Sequence, residues 1–443
     1  MERIADIAAR IRQEKFVRYY GLVHAIQGGA VLVSGLNNHA ALGDRILFHL
    51  PGAEPITGEV VALQARFAAI LPEGPAEGLH IGARAEWLGA PRLTPSEAWI
   101  GRIIDPLGKP LDGRPLAQGS QQIRFRAPPP PAADRKRLGP RLDTGLAIFD
   151  TILPIVQGQR LGLFAGSGVG KSTLLSALAR GVHADVVVIA MIGERGRELR
   201  EFVESVLGPE GMARAVVVAA TSDQSPMMRR RCAWAGMAVA EYFRDRGQHV
   251  LFLADSITRF AEAHREIALA AGESASYRGF PPSVSNLIMA LAERSGPGLE
   301  GQGDITAIFS VLVAGSDMEE PIADILRGVL DGHVVLDRAI AERGRFPAID
   351  VLRSVSRSLP HAASASENAS IARARTLLGA YAESELMIRA GLYAAGTDEV
   401  LDEAVRIYPA LDRFVTLNAP AAAQSFALLN TALGRPNHSG LGA

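Results

Sequence analysis

Apolar positions change their spacing three times along the chain, and each change marks a candidate unit. Ile4, Ile7, Ala8 and Ile11 recur at i, i+3, i+4 and i+7, with Arg3, Arg10, Arg12 and Lys15 among the remaining positions, which predicts an amphipathic helix over residues 1–18. Such a helix can dock a partner, touch an acidic membrane surface or pack on its own domain. From Tyr20 to about Gly89 the texture turns to short apolar runs, GLVHAI, AVLVSGL, DRILFHL, TGEVVAL and RFAAIL, parted by glycine, proline and asparagine. Turn signals this frequent predict a small β-barrel or sandwich, and we assign residues 19–92 to a β-barrel domain.

The segment GRIIDPLGKPLDG and the proline run Ala127–Pro131 read as a connection between units, continuing through Arg141. Beyond it the runs DVVVIAM, AVVVAA, HVLFLAD and ITAIFSVLV alternate with helical stretches. Strands this apolar are buried on both faces, so a largely parallel sheet covered by helices is predicted within residues 93–360, with its active site at the carboxyl ends of the strands. From about Glu367 alanine, leucine and arginine take over at helical spacing, which gives a helical domain over residues 361–443 whose closing LGRPNHSGLGA reads as frayed.

The most informative stretch is GLFAGSGVGKSTLL, Gly162–Leu175. Arg160–Phe164 has the character of a buried strand, the glycines Gly166, Gly168 and Gly170 break regularity, and helix formers resume at Lys171. Strand, glycine loop and helix in that order make a phosphate-binding loop. The charge of a triphosphate has to be met by many donors at close range, and glycine lets the backbone approach. The N–H groups of Gly166, Ser167, Gly168, Val169 and Gly170 and the start of the helix cradle the phosphates, Lys171 reaches the outer ones, and the Ser172 hydroxyl can ligate Mg²⁺, with Thr173 following on the helix. Ala165 stands where the strict pattern has glycine and is small enough for a similar turn. The motif establishes nucleotide binding and leaves hydrolysis open. The fold class expected is α/β multidomain: an N-terminal β-barrel, a central RecA-like phosphate-loop domain of the ATPase type with a mostly parallel sheet, and a C-terminal helical domain.

Asp255 ends the buried run Val250–Ala254, where a carboxylate projects toward the phosphate loop and can hold Mg²⁺ opposite Ser172, through water. Its alternative role is a cap for the helix that starts at SITRF. Glu194, in GERGRE, also follows an apolar strand and can orient and polarise an attacking water, whereas Glu198 belongs to the next helix and supports it. Arg357, in VLRSVSRSLP, offers a second cation for charge developing in a transition state, although residue type alone does not aim it.

Composition narrows the class. A 48% hydrophobic content over 443 residues supplies a substantial core, and a net charge of −1 gives no overall drive toward nucleic acid. The single cysteine, Cys232, excludes an intramolecular disulfide and a cysteine-cluster metal site, and it reads as a buried small apolar residue. His24, His39, His49 and His80 lack ligand-like spacing. The first residues do not form a signal peptide's apolar block, and no stretch of about 20 uninterrupted apolar residues occurs, so a cytosolic protein is expected.

GLFAGSGVGKSTLL, GERGRE, TSDQSPMMRR, VLFLADSITRFA, GFPPS, DGHVVLDR and RFPAIDVLRSVSR occur in an order that resembles the type III export ATPases. The resemblance covers roughly residues 20–410 and is nearest in character to the flagellar export ATPase, a relative of the catalytic subunits of rotary ATP synthases. It implies a homohexamer with each site between neighbours, hydrolysing ATP with Mg²⁺ to engage export substrates and release their chaperones, beside an export gate of separate membrane proteins. By matching phrases it gives Lys171, Ser172, Glu194 and Asp255 the roles above, makes Arg357 an arginine finger reaching a neighbour's site, and places Phe346 near adenine and Arg195 and Arg229 near the phosphates. It further implies a regulatory stalk-like partner at the N-terminus and peripheral contact with the cytoplasmic face of the inner membrane. Ser285 stands where the family pattern usually has phenylalanine in a loop near the central channel.

Three other readings share these motifs. A non-catalytic subunit of a rotary ATPase keeps the phosphate loop, but commonly replaces the carboxylate that Glu194 supplies. A transcription-termination hexamer needs a basic, aromatic single-strand platform, which the barrel segment lacks. A virulence-type secretion ATPase has the same phosphate chemistry as a flagellar one.

Overall fold

The computed structural model describes residues 17–27, 29–313 and 318–434. Ile4–Ile11, which carry the spacing of the expected N-terminal helix, lie outside the described residues, as does the tail from Arg435. The chain divides into two compact units, one holding the described residues up to Arg92 with Ser225–Met228 and Ala263–Pro281, the other the remainder.

In the first unit, strands β1 (Tyr20–Gln27), β2 (Ala30–Ser34), β3 (Arg45–His49), β4 (Ile56–Leu63), β5 (Phe67–Pro72) and β6 (Arg84–Gly89) close into an antiparallel barrel in the order β1-β2-β5-β4-β3-β6. Of the two architectures the turn-rich pattern allowed, the barrel is the one formed. Alternation along each strand sends Val23, Val31, Val33, Ile46, Phe48 and Ile70 inward, where they form one core. Phe48 has no exposed surface, so its truncation to alanine costs about 3–5 kcal/mol.

The second unit is built on one sheet. Its strands are β7 (Arg102–Ile104), β8 (Arg160–Ala165), β9 (Val186–Glu194), β10 (Ala215–Thr221), β11 (Val250–Asp255), β12 (Asp304–Leu312), β13 (Gly332–Leu336) and β14 (Ile349–Ser356). Among the described residues they run in the order β14-β13-β8-β12-β11-β9-β10-β7, parallel except that β14 pairs antiparallel with β13, and a ninth, two-residue strand, Gly296–Pro297, pairs antiparallel with the start of β12 off this path. β9, β10, β11 and β12 are buried along almost their whole length because helices cover both faces. Helix α1 (Lys171–Gly181) packs Leu174, Leu175 and Leu178 into the core that holds Val187, Ile189 and Val217. Helix α2 (Gly196–Glu201) follows β9, and α3 (Pro226–Arg244) lies on the sheet's opposite face, where buried Cys232 donates through Sγ to the carbonyls of Met191 and Val218, each at 3.3 Å. Burial pushes this thiol well above its ordinary range, as expected of a structural cysteine. Helix α4 (Ile257–Ala270) starts immediately after β11.

Two expectations need correction. GRIIDPLGKPLDG is not merely a connection: Arg102–Ile104 pairs in parallel with Val216–Val218 and forms the sheet's edge. The turn that follows folds back over this strand because Asp112 binds the nearly buried Arg102 guanidinium at 2.6 and 2.8 Å, which holds the Asp112 carboxyl far below the usual carboxylate range. Ser285 is not in a loop. It sits half-buried in the first turn of a helix over Ser283–Glu293, where a proline at the N-cap and the helix-forming sequence LIMALAE favour a regular start.

Helices α5 (Ala365–Arg389), α6 (Glu399–Phe414) and α7 (Ala422–Ala432) close the chain. A capping box between Ser364 and Glu367 starts α5, and Asp398 caps α6 through the N–H groups of Val400 and Leu401. Their buried residues Ile371, Leu377, Phe414 and Leu429 join the same core as the sheet. Ser425 on α7 donates to buried Asp150 at 2.8 Å, and Asp143 accepts from the N–H of Ala422 at 2.8 Å, which tethers α7 to the segment leading into β8.

Candidate functional site

The carboxyl ends of β8, β12, β11 and β9 come together around a cavity of about 910 Å³. On β8 the chain leaves the sheet at Ala165 and turns through Gly166–Gly170 into α1. Gly168 and Gly170 have φ of 78° and 86°, which a side chain would oppose. Gly170 caps α1 without a side-chain acceptor, so the first N–H groups of the helix face the cavity unclaimed and favour an anion there. Gly166, Ser167, Gly168, Gly170, Lys171, Ser172 and Thr173 all line the cavity, whereas Val169 turns inward and is buried. Val169 is expected at the site through its N–H alone, and its buried side chain joins the core.

Parallel register sets the next residues in a row. Ala254 on β11 stands level with Phe309 on β12, so the following residues, Asp255 and Ser310, also stand side by side, and Ser310 Oγ donates to Asp255 Oδ1 at 2.7 Å. Met191 on β9 pairs with Asp255, where the ladder to β11 ends, and after a register shift past Ile192 Glu194 pairs with Thr221 at the end of β10. Lys171 Nζ pairs with Asp255 Oδ1 and lies 3.8 Å from Glu194 Oε1. The three charges are mostly withdrawn from solvent, and the N–H of Ser222 fixes the backbone of Glu194 at 3.0 Å. Burial, reinforced by the charge of Asp255 and opposed by Lys171, pushes Glu194 up to about 7. A carboxyl group poised near neutrality can take a proton at physiological pH.

Other expected residues fall on both sides of this centre. Arg195 and Arg229 line the cavity; Arg195 is exposed at the start of α2 beside Glu198, 3.5 Å away, and Arg229 donates through Nε to the Gln224 carbonyl at 3.2 Å. Phe346, 51% exposed, lays its ring against the phosphate loop so closely that a Cβ on Gly170 would stand 3.2 Å from Phe346 Cδ1. Arg357 does not join the cavity. It follows β14 directly and is exposed, with its N–H bonded to the Asp331 carbonyl at 2.9 Å and Nη2 to the Arg327 carbonyl at 3.1 Å. Ser356 pairs with Gly332 at the start of β13, so Arg357 stands at the amino end of the parallel strands, opposite the phosphate loop.

Ser310, Arg259 and Glu262 were missed. Ser310 hides in the apolar run ITAIFSVLV, and Arg259 and Glu262 line the cavity from the first turns of α4, four and seven residues after Asp255. Their helical offset from a strand-end carboxylate is the signal that would have found them. For a metal, the donors fit a hard cation: a hydroxyl on Ser172 and carboxylates beyond it, with no group of three or more His, Cys, Asp or Glu among the described residues. Mg²⁺ is held in this manner by one or two protein oxygens together with phosphate and water, without an all-protein cage.

Comparison with known proteins gives the family. The nucleotide-binding domain of the ATP synthase alpha/beta family matches residues 145–356, and the T3SS EscN ATPase C-terminal domain matches residues 363–417. The flagellum-specific ATP synthase of Caulobacter vibrioides is 46% identical over 94% of this chain and 96% of its own length. The type 3 secretion system ATPase of Xanthomonas euvesicatoria is 42% identical over 90% of each chain. The assembled ATPase EscN from enteropathogenic E. coli superposes with a TM-score of 0.86 at 33% identity, covering 93% of this chain and all of EscN, and EscN in complex with its central stalk EscO gives 0.83. The chain belongs to the type III export ATPases, within the ATP synthase alpha/beta family.

Proposed function

We propose that the chain is a Mg²⁺-dependent ATPase that acts as a homohexameric ring in type III protein export, in the flagellar system, where it engages export substrates and releases their chaperones. The observation that carries the reading is the division of the catalytic set between the two ends of one sheet. Lys171, Asp255 and Glu194 gather at the carboxyl end, while Arg357 stands at the amino end. A second chain packed head to tail brings its Arg357 to the first chain's cavity, as a closed heterologous ring requires.

In each site the loop N–H groups, the N-terminus of α1 and Lys171 bind the phosphates, and Phe346 borders the adenine. Ser172 and, through water, Asp255 would hold Mg²⁺, which when bound would neutralise charge on the phosphate oxygens. Glu194 orients the attacking water and accepts its proton at Oε1 or Oε2, with Glu198 as neighbour. Arg357 of the adjoining copy offsets the charge that builds on the transferred phosphoryl group, and Arg195 and Arg229 add cations at the cavity's rim.

The partner set follows the same family reading. EscN is known in complex with its central stalk, which supports a stalk-like regulatory partner for this chain, expected at its N-terminus. Export substrates, chaperones and the export gate complete the set, and no nucleic acid is expected. No helix among the described residues is long and apolar enough to cross a membrane, so the proposed location is cytoplasmic, with peripheral contact at the cytoplasmic face of the inner membrane. Service in a virulence-type secretion system is the second reading, favoured by the likeness to the Xanthomonas euvesicatoria enzyme and to EscN. Steady-state Mg²⁺-ATPase measured against protein concentration tests the reading. Activity per chain should rise as rings assemble, and nucleotide binding without turnover in any assembly state overturns it in favour of a non-catalytic subunit.

A further inference from the structure

Two charged residues of α4 enter the nucleotide cavity without a part in the chemistry above. Arg259 and Glu262 lie one helical turn apart, both line the cavity, and Arg259 Nη1 donates to Glu262 Oε2 at 2.9 Å. The stem of Arg259 lies against the peptide that immediately precedes Glu194: a Cβ on Gly193, which has a φ of 72°, would stand 3.3 Å from Arg259 Cβ. The pose held by Glu262 is not free of cost, because Arg259 Nε is buried in it without a hydrogen-bond partner. A guanidinium so placed gains when an anionic oxygen draws it out of that pose.

The charge balance of the cavity gives this pair its significance. Among the described lining residues, Lys171, Arg195, Arg229 and Arg259 face Glu194, Glu198, Glu262 and Glu320, and Asp255 pairs with Lys171, so every cation has a carboxylate to match it. Beyond the attraction of the loop N–H groups and the start of α1, a polyanion entering this cavity gains as its oxygens displace carboxylates from cations. The Arg259–Glu262 contact, with side chains 43% and 27% exposed, is shorter and less screened than Arg195–Glu198 at 3.5 Å, with side chains 74% and 40% exposed.

We propose that Glu262 is a positioning residue that competes with phosphate for Arg259 and thereby limits how tightly the cavity retains inorganic phosphate after hydrolysis. The proposal rests on the ATPase reading and extends it to product release. When phosphate oxygens are present, Arg259 turns its N–H groups toward them. When they leave, Glu262 Oε2 recovers Nη1, so release has a waiting acceptor and Arg259 does not hold the product.

The test is calorimetric titration of inorganic phosphate into the full chain, with steady-state ATPase measured on the same proteins. The set is wild type, Glu262→Gln, Glu262→Asp, Arg259→Ala and the double variant Arg259→Ala/Glu262→Gln. Glu262→Gln should bind phosphate about five- to tenfold more tightly, the equivalent of one charge-assisted hydrogen bond at a partly exposed site, and should lower KM and kcat together. Glu262→Asp should stay near wild type, and the gain should vanish when Arg259 is alanine. Unchanged or weaker phosphate binding in Glu262→Gln overturns the proposal, as does an equal gain in the Arg259→Ala background, which would be general charge removal. Glu262→Ala carries the same expectations should the glutamine variant fold poorly. Because the titration needs no turnover, wild type that binds phosphate yet hydrolyses nothing defeats the ATPase reading while this proposal is still decided.

Discussion

Arg357 and Lys171 stand at opposite ends of the same sheet. Leu336 on β13 is level with Ala165, where the phosphate loop begins, and Gly332 at the other end of β13 is level with Ser356, the residue before Arg357. Four residue steps, from 332 to 336, make about 13 Å of strand, and the loop adds to that separation. Arg357 is also tied back to the carbonyls of Asp331 and Arg327. On the proposed reading, a chain of this design does not complete its own active site, and its chemistry depends on a neighbour.

Glu194 should impose a pH profile. Its value of about 7 comes from burial and from Asp255, and the proposed proton acceptor works only when ionised. The kcat/KM for ATP should therefore rise as pH increases through about 7 and then level, since this ratio reports the free enzyme. In Glu194→Gln the residual rate should be about 10²- to 10⁴-fold lower and lose this rise, with nucleotide binding retained. A wild-type profile flat across the neutral range would remove Glu194 from the role.

The same group links stability to pH in the opposite sense. Its folded value lies above the ordinary 4.5, so the stability it contributes is fully present below 4.5 and is lost as pH rises through about 7. Glu194→Gln, which resembles the protonated acid, should therefore gain stability over wild type at pH above about 7 compared with pH near 5, by up to about 3 kcal/mol. Urea denaturation at the two pH values measures the difference, and an identical offset at both would show that Glu194 is not held away from ionisation.

Phe346 tests the adenine side. Its ring borders Gly170 and is half exposed, so Phe346→Ala removes a stacking surface and little core. KM for ATP should rise about 2- to 10-fold with kcat nearly unchanged, the value of one aromatic stack, and thermal stability should move by less than about 1 kcal/mol. An unaltered KM would place the base elsewhere.

Much of this arrangement is legible before folding because it depends on local order. The glycine spacing of GLFAGSGVGKSTLL and the strand-end positions of Asp255 and Glu194 are fixed by short-range pattern, and the folded register brings them together as that pattern implies. Less legible is whatever the sheet decides at long range. Arg102–Ile104 is too short and too near turn residues to read as a strand until β10 offers it an edge, and Ile349–Ser356 alternates buried and exposed positions because it is the antiparallel strand at the other edge. Arg259 and Glu262 look like any charged helical face until α4 is set against Gly193. Residue type alone gives Arg357 no direction, and only the pairing of Ser356 with Gly332 shows which end of the sheet it occupies.

The most direct test of the account is a mixing experiment. Glu194→Gln lacks the proposed proton acceptor and Arg357→Ala the cation proposed for a neighbour, so each should bind nucleotide and hydrolyse almost none alone. Mixed before ring assembly, with assembly state followed by light scattering, the two should recover activity, because some sites then join an intact Glu194 on one chain to an intact Arg357 on the next. Recovery that depends on co-assembly is the predicted result. Mixed rings that form and stay inactive, or an Arg357→Ala ring with wild-type turnover, would contradict a site shared between neighbouring chains.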